Sequence, residues 1–234
     1  MRKNIGLFCD GAVALLAGTG TAMMLGKYQK RGALATKGLK NFKYYTVLSN
    51  EFCGLIAIFS LVFHAMDRLK GRRVLRKWMV LLKLMATAMV CVTFLVTIIY
   101  LAPTIGFFKC YRGWNLIFHL FLPIIAVAGF AKTDLQGYKI TRKDGAISAI
   151  PTMIYGNFYL GNILINGMGE HRKKHDWYGF TAWGIPFGML MFGLLLGANM
   201  GVAEFLSRLN ARFSVTEKSS AGGKIPFDPS ISNI

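Results

Sequence analysis

The chain has 234 residues, 54% of them hydrophobic, and a mean hydropathy of +0.44, which is too apolar for an ordinary water-soluble domain of this length. Its formal net charge of +18 would suit a nucleic-acid-binding protein. The 28 lysines and arginines, however, fall almost entirely between apolar stretches, where contact with anionic lipid headgroups accounts for them. We therefore expect an integral membrane protein that is surrounded by lipids and has no nucleic-acid partner.

Six apolar stretches follow one another along the chain, each near or above the roughly 20 residues that a helix needs to cross the hydrocarbon core. They cover residues 5–26, 44–66, 78–106, 114–131, 146–168 and 179–206. Asp10 and several glycines interrupt the first stretch, and the fifth is rich in asparagine. The sequence predicts an all-α polytopic bundle of six transmembrane helices over residues 1–207, followed by a flexible polar tail over residues 208–234.

The distribution of basic residues predicts the orientation of this bundle. The N-terminus, the second and fourth connectors and the tail together hold 16 lysines and arginines, whereas the first, third and fifth connectors hold 11. The positive-inside rule then places both termini in the cytoplasm. The first connector opposes this assignment, because it holds six basic residues although it should lie on the outer side of the membrane.

Two polar residues lie just inside the start of long apolar helices. Thr46 belongs to the second predicted helix, in Tyr44-Tyr45-Thr46-Val47-Leu48-Ser49-Asn50, and His119 belongs to the fourth, in Asn115-Leu116-Ile117-Phe118-His119-Leu120-Phe121-Leu122-Pro123. Both helices begin on the same side of the membrane. At about 1.5 Å per residue, Thr46 lies roughly 5 Å below the start of its helix and His119 roughly 10 Å below the start of the other. A hydroxyl and an imidazole at similar depth are a candidate nucleophile and base.

Further polar residues surround this pair in the predicted bundle. Asn50 and Asn115 are each four residues from Thr46 or His119, share their helix faces and are candidates for substrate binding and for stabilising an oxyanion. Asp176 returns to the same membrane side, where it would cap the pocket or orient the histidine, and Glu51 is a second candidate orienting acid. The spacing leaves a structural alternative open, because threonine hydroxyls often bond the preceding turn and histidines often bond across helix interfaces.

The sequence predicts neither a metal nor a cofactor. A haem would need two axial imidazoles at one depth, but His64 lies 18 residues beyond Thr46, which is roughly 27 Å further along the helix and far from His119. His171 and His175 share a face only if their connector is helical, and its lysines and arginines disfavour a cation. No disulfide or zinc motif is formed by the four cysteines, Cys9, Cys53, Cys91 and Cys110.

The motifs around Thr46 and His119 resemble those of the androgen-induced and androgen-dependent TFPI-regulating family of membrane proteins. Tyr45-Thr46-Val47-Leu48-Ser49-Asn50 together with Asp176-Trp177-Tyr178-Gly179 is more similar to the bacterial relatives than to the animal members. The resemblance covers six spans in the same order, and the asparagine-rich fifth span and the tail depart from the animal pattern. It implies an intramembrane threonine hydrolase in a bacterial cell membrane, with Thr46 and His119 as the catalytic pair.

The function expected from these observations is hydrolysis of a lipid ester. The animal members of the resembling family cleave fatty acid esters of hydroxy fatty acids, so the resemblance implies an acyl ester substrate of this kind. The alternative is a non-enzymatic membrane transporter or lipid-binding scaffold. The chain has no convincing repeat between its halves, although Pro123 and Pro151 would allow the broken helices that transporters often contain.

Overall fold

The computed structural model describes residues 2–26, 38–71, 76–135, 138–167 and 172–220, and within these residues all regular structure is helical. A 3₁₀ turn over Gly38–Lys43 leads into the second helix. We number the helices α1 Arg2–Leu25, α2 Tyr45–Leu69, α3 Lys77–Ile105, α4 Phe107–Cys110, α5 Trp114–Ala131, α6 Arg142–Ser148, α7 Ile150–Asn166, α8 Arg172–His175 and α9 Ile185–Ser220. The predicted all-α class is confirmed.

Five of the described helices, α1, α2, α3, α5 and α9, are long and apolar enough to cross a membrane. The sequence predicted six. The stretch predicted as the fifth span instead forms α6 and α7, separated at Ala149, because Pro151 lacks the N–H that a longer continuous helix would require. The 17 residues of α7 are about 25 Å long, which is shorter than the roughly 30 Å hydrocarbon core. The protein is therefore an integral multi-pass membrane protein with five such helices among its described residues.

Glycines bring α1 into close contact with α2 and α5. A Cβ atom added at Gly20 would overlap the ring of Phe118 on α5, and one added at Gly54 on α2 would overlap the Cβ of Ala17. Lipid tails are as apolar as leucine, so helices in a membrane associate through this kind of close packing. Val47 and Phe118 are fully buried in the resulting cluster. The start of α2 and the start of α5 are thereby held near each other.

Two of the spanning helices contain a widened π-helical turn. One covers Thr97–Leu101 in α3 and the other covers Ile117–Phe121 in α5. Each turn ends two residues before a proline, Pro103 or Pro123. A proline ring collides with the carbonyl four residues earlier and offers no N–H to it, so the preceding turn widens. His119 is the residue four before Pro123 and lies in the middle of its π turn.

An ion pair is buried where α1, α2 and α3 meet. Lys83 Nζ lies 2.7 Å from Asp10 Oδ1, and Ser60 Oγ donates to Asp10 Oδ2 at 2.7 Å. Asp10 is 4% exposed and Lys83 is 9% exposed. Charges inside a membrane domain are costly unless they are paired. Each of the three helices therefore contributes one polar group to a joint that fixes their relative register.

Breaking this pair is expected to destabilise the bundle. Asp10→Asn or Lys83→Met leaves an uncompensated buried group and should lower the free energy of unfolding in detergent by about 3–5 kcal/mol. The double variant Asp10→Asn/Lys83→Met should regain most of that loss, because no unpaired charge remains. Glu204→Gln is the control, since it breaks the exposed Arg208–Glu204 pair on α9. Single variants as stable as the wild type would contradict a structural role for the pair.

The last helix extends further than the sequence predicted. The tail was expected to be flexible from residue 208, whereas α9 continues to Ser220, and residues 221–234 lie outside the described residues. Asn210 explains the extension. Its Nδ2 donates to the carbonyls of Phe130, Ala131 and Thr133 at 2.9, 3.3 and 2.8 Å, at the end of α5. The Phe130 carbonyl also accepts the N–H of Thr133 at 3.0 Å, and Asn210 adds the contacts that join α9 to the end of α5.

Candidate active site

Thr46 is the second residue of α2 and is buried, with 8% of its surface exposed. Its backbone carbonyl accepts hydrogen bonds from Ser49 Oγ at 3.0 Å and from Asn50 Nδ2 at 2.6 Å. These bonds tie the first turn of α2 together, and its N-cap residue, Tyr44, makes no side-chain capping bond. Thr46 lines two cavities.

The imidazole of His119 is oriented by a backbone carbonyl. Its Nδ1 lies 2.7 Å from the carbonyl oxygen of Cys110, and the ring packs edge-on against Tyr111. Cys110 ends α4, where carbonyls have no partner within the helix. A carbonyl only accepts, so Nδ1 carries the proton and Nε2 keeps its lone pair. His119 therefore presents Nε2 as the nitrogen that can take a proton.

The smaller cavity brings the two predicted catalytic residues together. It contains about 370 Å³ of empty space, counting its open mouth. Its lining is Tyr44, Thr46, Lys109, Cys110, Trp114, Asn115, His119 and Tyr178. Thr46 and His119 thus border one space at the end of the bundle where α2 and α5 begin. This arrangement agrees with the parallel helices inferred from the sequence.

The larger cavity is mainly apolar and also reaches Thr46. It contains about 590 Å³ of empty space, counting its open mouth, and lies between α2, α3, α7 and α9. Tyr45, Thr46 and Thr152 are among its polar lining residues, and the Tyr45 hydroxyl lies 2.6 Å from Thr152 Oγ1. The apolar part is lined by Val92, Val96, Leu101, Leu160, Phe192 and Leu195. Such a lining suits a hydrocarbon chain with a polar group near Thr46.

The other predicted site residues lie in different surroundings. Asn115 lines the smaller cavity, and its Nδ2 donates to the Lys109 carbonyl at 3.5 Å. Asn50 is fully buried, donates within α2 and has an Oδ1 without a partner among the described residues. Glu51 accepts a hydrogen bond from Thr21. The orienting partner of His119 is thus the Cys110 carbonyl.

Asp176 organises the turn that follows α8. Its carboxylate accepts hydrogen bonds from the N–H groups of Phe180 and Thr181 at 3.0 and 2.9 Å, from Thr181 Oγ1 at 2.6 Å and from the Tyr159 hydroxyl. A carboxylate with four donors has little capacity left for a ligand. Asp176 therefore lies behind the site, and the turn that it holds carries Tyr178 into the site.

Tyr178 is the site residue that the sequence analysis missed. Its hydroxyl accepts a hydrogen bond from the backbone N–H of Tyr45 at 2.8 Å, and its ring lines both cavities. Burial is the largest cause that raises the pKa of Tyr178 well above its usual value. In the sequence, Tyr178 appeared only as part of the resemblance motif Asp176-Trp177-Tyr178-Gly179. The signal that pointed to a site was the polar Asp176 immediately before the two aromatics.

Two lysines make the mouth of the site electropositive. Lys109 lines the smaller cavity. Lys43 Nζ lies 5.1 Å from the ring centre of Tyr44 and 5.0 Å from that of Trp177, and partial burial lowers the pKa of Lys43. An anionic group on a ligand would therefore be attracted to this end of the bundle.

The part of the chain that the structure describes contains no group of three or more His, Cys, Asp or Glu side chains able to hold a metal ion. His171, one of the two connector histidines considered from the sequence, lies outside the described residues. His175 contacts Asn162 Oδ1 through Nδ1 at 3.4 Å.

Comparison with known proteins identifies no relative of this chain. No protein-family model matches it, and neither a curated protein nor a solved structure matches it.

The π turn at His119 leads to a prediction about Pro123. Pro123→Ala restores an N–H and should relax the turn, which would rotate the imidazole away from Thr46. We expect a 10- to 100-fold loss, as an order of magnitude, in the rate of any reaction that uses the pair, with unchanged or higher thermal stability. Pro151→Ala is the control, because Pro151 lies in the first turn of α7 where no hydrogen bond is missing. Equal rates for Pro123→Ala and the wild type would show that the widened turn does not position His119.

Proposed function

We propose that the protein is an integral membrane lipid ester hydrolase in which Thr46 is the nucleophile and His119 is the general base. One observation carries the proposal: Thr46 and His119 line the same cavity, and the proton-accepting Nε2 of His119 is left available by the Cys110 bond. A buried threonine needs such a base, since its hydroxyl is a poor nucleophile without one.

The chemistry follows from the two residues. Thr46 Oγ1 attacks the ester carbonyl carbon while His119 Nε2 takes its proton, and the electrons of the C=O double bond move to the carbonyl oxygen. The carbonyl then re-forms and the C–O bond to the alcohol breaks, as His119 returns the proton to the leaving oxygen. Water repeats these steps on the acyl-threonine ester. The products are a fatty acid, an alcohol and the free Thr46 hydroxyl.

The two cavities suggest how a substrate is divided between them. The acyl chain lies in the larger apolar cavity, and its ester group lies at Thr46, where the cavities meet. The alcohol part then lies in the smaller cavity with Asn115 and Lys109. The ammonium of Lys109 suits an alcohol that carries a carboxylate, as in fatty acid esters of hydroxy fatty acids. These esters, which the sequence resemblance implies, are our proposed substrate class.

The proposal extends to the family and to the membrane. We place the chain with the androgen-induced and androgen-dependent TFPI-regulating proteins as a bacterial-type relative, supported by the motifs at Thr46 and His119. The proposed location is the bacterial cell membrane with both termini cytoplasmic, supported by the excess of basic residues in the connectors on that side. The chain of α6 and α7 then completes an even number of passes, in agreement with Gly6 of α1 and Asn210 of α9, which both lie against the end of α5 at Lys132 and Thr133.

Covalent labelling tests this function directly. Purified protein in detergent is treated with a fluorophosphonate that carries an alkyl chain, digested with trypsin and analysed by mass spectrometry. The expected adduct lies on Thr46, in the peptide that begins after Lys43, and is absent from heat-denatured protein. An activated hydroxyl is required for this reaction. Absence of the adduct, together with absence of ester hydrolysis, would favour the transporter or scaffold.

The larger cavity predicts a determinant of acyl-chain length. Phe192 lines it and fills the space over Gly156, where an added Cβ would overlap the Phe192 ring. Phe192→Ala should extend the cavity and shift the preference towards longer chains, with kcat/KM rising about fourfold for each extra methylene buried. The measurement is hydrolysis of an ester series of increasing acyl length. Phe205→Ala is the control, since Phe205 is exposed on the same helix. If Phe192→Ala has the same chain-length preference as the wild type, the acyl chain does not bind in this cavity.

A further inference from the structure

Tyr178 borders both cavities. Among the described residues, Thr46 and Tyr178 are the two that line both cavities. The Tyr178 hydroxyl accepts a hydrogen bond at 2.8 Å from the N–H of Tyr45, the residue that precedes Thr46 in the chain. The phenol oxygen is therefore fixed against the backbone of the nucleophile. A carbonyl attacked by Thr46 would have to lie in this neighbourhood.

Resting on the proposed hydrolase function, we propose that Tyr178 is a catalytic residue whose hydroxyl donates a hydrogen bond to the oxyanion formed when Thr46 attacks the ester. The role is stabilisation without proton transfer. Negative charge develops on the former carbonyl oxygen, the proton of Thr46 passes to His119, and the phenol keeps its own proton.

The side chains expected to perform this role are engaged elsewhere. Asn50 Nδ2 donates to the Thr46 carbonyl at 2.6 Å, and Asn50 lies outside the linings of both cavities. Asn115 Nδ2 points to the Lys109 carbonyl. Tyr178, in contrast, lines both cavities. Its position thus fits the oxyanion better than either amide that the sequence suggested.

The Tyr178 ring is held rigidly. It stacks on Phe180 with ring centres 5.3 Å apart and meets Tyr159 edge-on at 5.6 Å. The turn that carries it is tied by Asp176 to the N–H groups of Phe180 and Thr181. A donor that is fixed in advance costs no reorganisation during the reaction, which is the condition under which oxyanion stabilisation is strongest.

The hydroxyl has the properties of a good donor. Its oxygen already accepts the Tyr45 N–H, and such a bond polarises an O–H group so that it donates more strongly. Burial keeps the phenol protonated, because it raises the pKa of Tyr178 well above the usual value. The donor is thus present across the physiological pH range.

Tyr178→Phe tests the proposal with Tyr155→Phe as its matched control. Tyr155 belongs to the same aromatic cluster, and its hydroxyl donates to the Lys43 carbonyl at 2.8 Å. It lines the larger cavity but not the smaller one. Tyr178→Phe should lower kcat for a long-chain ester by about 10²–10³-fold with little change in KM. Tyr155→Phe should lose far less. Equal losses in the two variants would overturn the specific role of Tyr178.

A tetrahedral analogue separates a catalytic role from a structural one. A long-chain trifluoromethyl ketone adds to the nucleophile and forms an oxyanion, so its Ki should rise in Tyr178→Phe by the same factor as kcat/KM falls. A purely structural tyrosine would reduce the fraction of active protein and leave Ki unchanged. An unchanged Ki therefore contradicts the proposal even where activity is reduced.

Fluorotyrosine at position 178 keeps the ring and hydroxyl and covers the case in which Tyr178→Phe does not fold. Its more acidic phenol is a stronger hydrogen-bond donor, so the Ki of the trifluoromethyl ketone should fall below the wild-type value. A Ki equal to or above the wild-type value would overturn the donor role. The two proposals can fail separately. If the wild type gives neither a Thr46 adduct nor ester hydrolysis, the hydrolase proposal fails and the Tyr178 proposal fails with it. If the wild type is labelled and active and Tyr178→Phe is equally active, only the Tyr178 proposal fails.

Discussion

Replacement of Thr46 by alanine is expected to reduce ester hydrolysis to background, a loss of about 10⁴-fold or more in kcat. Alanine removes the oxygen that forms the acyl intermediate, and the residue remains in the first turn of α2 with its backbone bonds intact. The bundle should therefore unfold at the same temperature as the wild type. Hydrolysis of fluorogenic long-chain esters, measured alongside thermal denaturation in the same detergent, checks both parts.

Thr46→Ser and Thr46→Val are the matched controls. Serine keeps the hydroxyl and should retain a measurable rate, whereas valine keeps the shape and should be as inactive as alanine. If Thr46→Val hydrolyses esters like the wild type, Thr46 is a packing residue and the activity belongs elsewhere.

Replacement of His119 by alanine is the second large effect, with an expected fall in kcat of about 10³-fold. Without the imidazole, no base takes the proton of Thr46, although the cavity and the nucleophile remain. Labelling of Thr46 by the fluorophosphonate should slow by a similar factor. Both rates are measured at a pH where the wild type is fully active, so that the comparison concerns the base alone.

The double variant Thr46→Ala/His119→Ala should be no slower than Thr46→Ala. Residues that act as one unit give strongly non-additive losses, because removing the second has no effect once the first is absent. Additive losses would mean that the two residues act independently. His119→Gln is a useful companion, since an amide can keep a hydrogen bond to the Cys110 carbonyl while lacking a basic nitrogen.

Much of the bundle could be predicted from composition. The bounds of α2 and α5 agree with the apolar stretches because hydrocarbon length sets both. The juxtaposition of Thr46 and His119 in one cavity likewise follows from two parallel helices with polar residues near their starts. Their chemical role stays a prediction, because proximity alone does not establish reactivity.

Other features depend on contacts between segments distant in the chain. Asp10 looked like an interruption of the first apolar stretch, and nothing local shows that Lys83, 73 residues later, pairs with it. The last helix contains repeated glycines, a residue type that permits close contact between membrane helices. Gly188 does meet Thr181, whereas a Cβ at Gly193 or Gly197 would meet no other described atom within 4 Å. Packing partners, rather than residue type, decide which glycine matters.

The support of His119 by a main-chain oxygen has a consequence for genetics. A catalytic histidine held by an aspartate or glutamate reveals its partner when that acid is mutated. Here substitution of Cys110 changes the thiol and leaves the carbonyl in place, so a scan of side chains would find no residue that orients the histidine. The position of the Cys110 carbonyl depends instead on the backbone between Gly106 and Gly113. Their φ angles of 110° and 62° are ones that few other residues tolerate. Inactivating changes at those two glycines, distant from any reacting atom, would be the mutational signature of this arrangement.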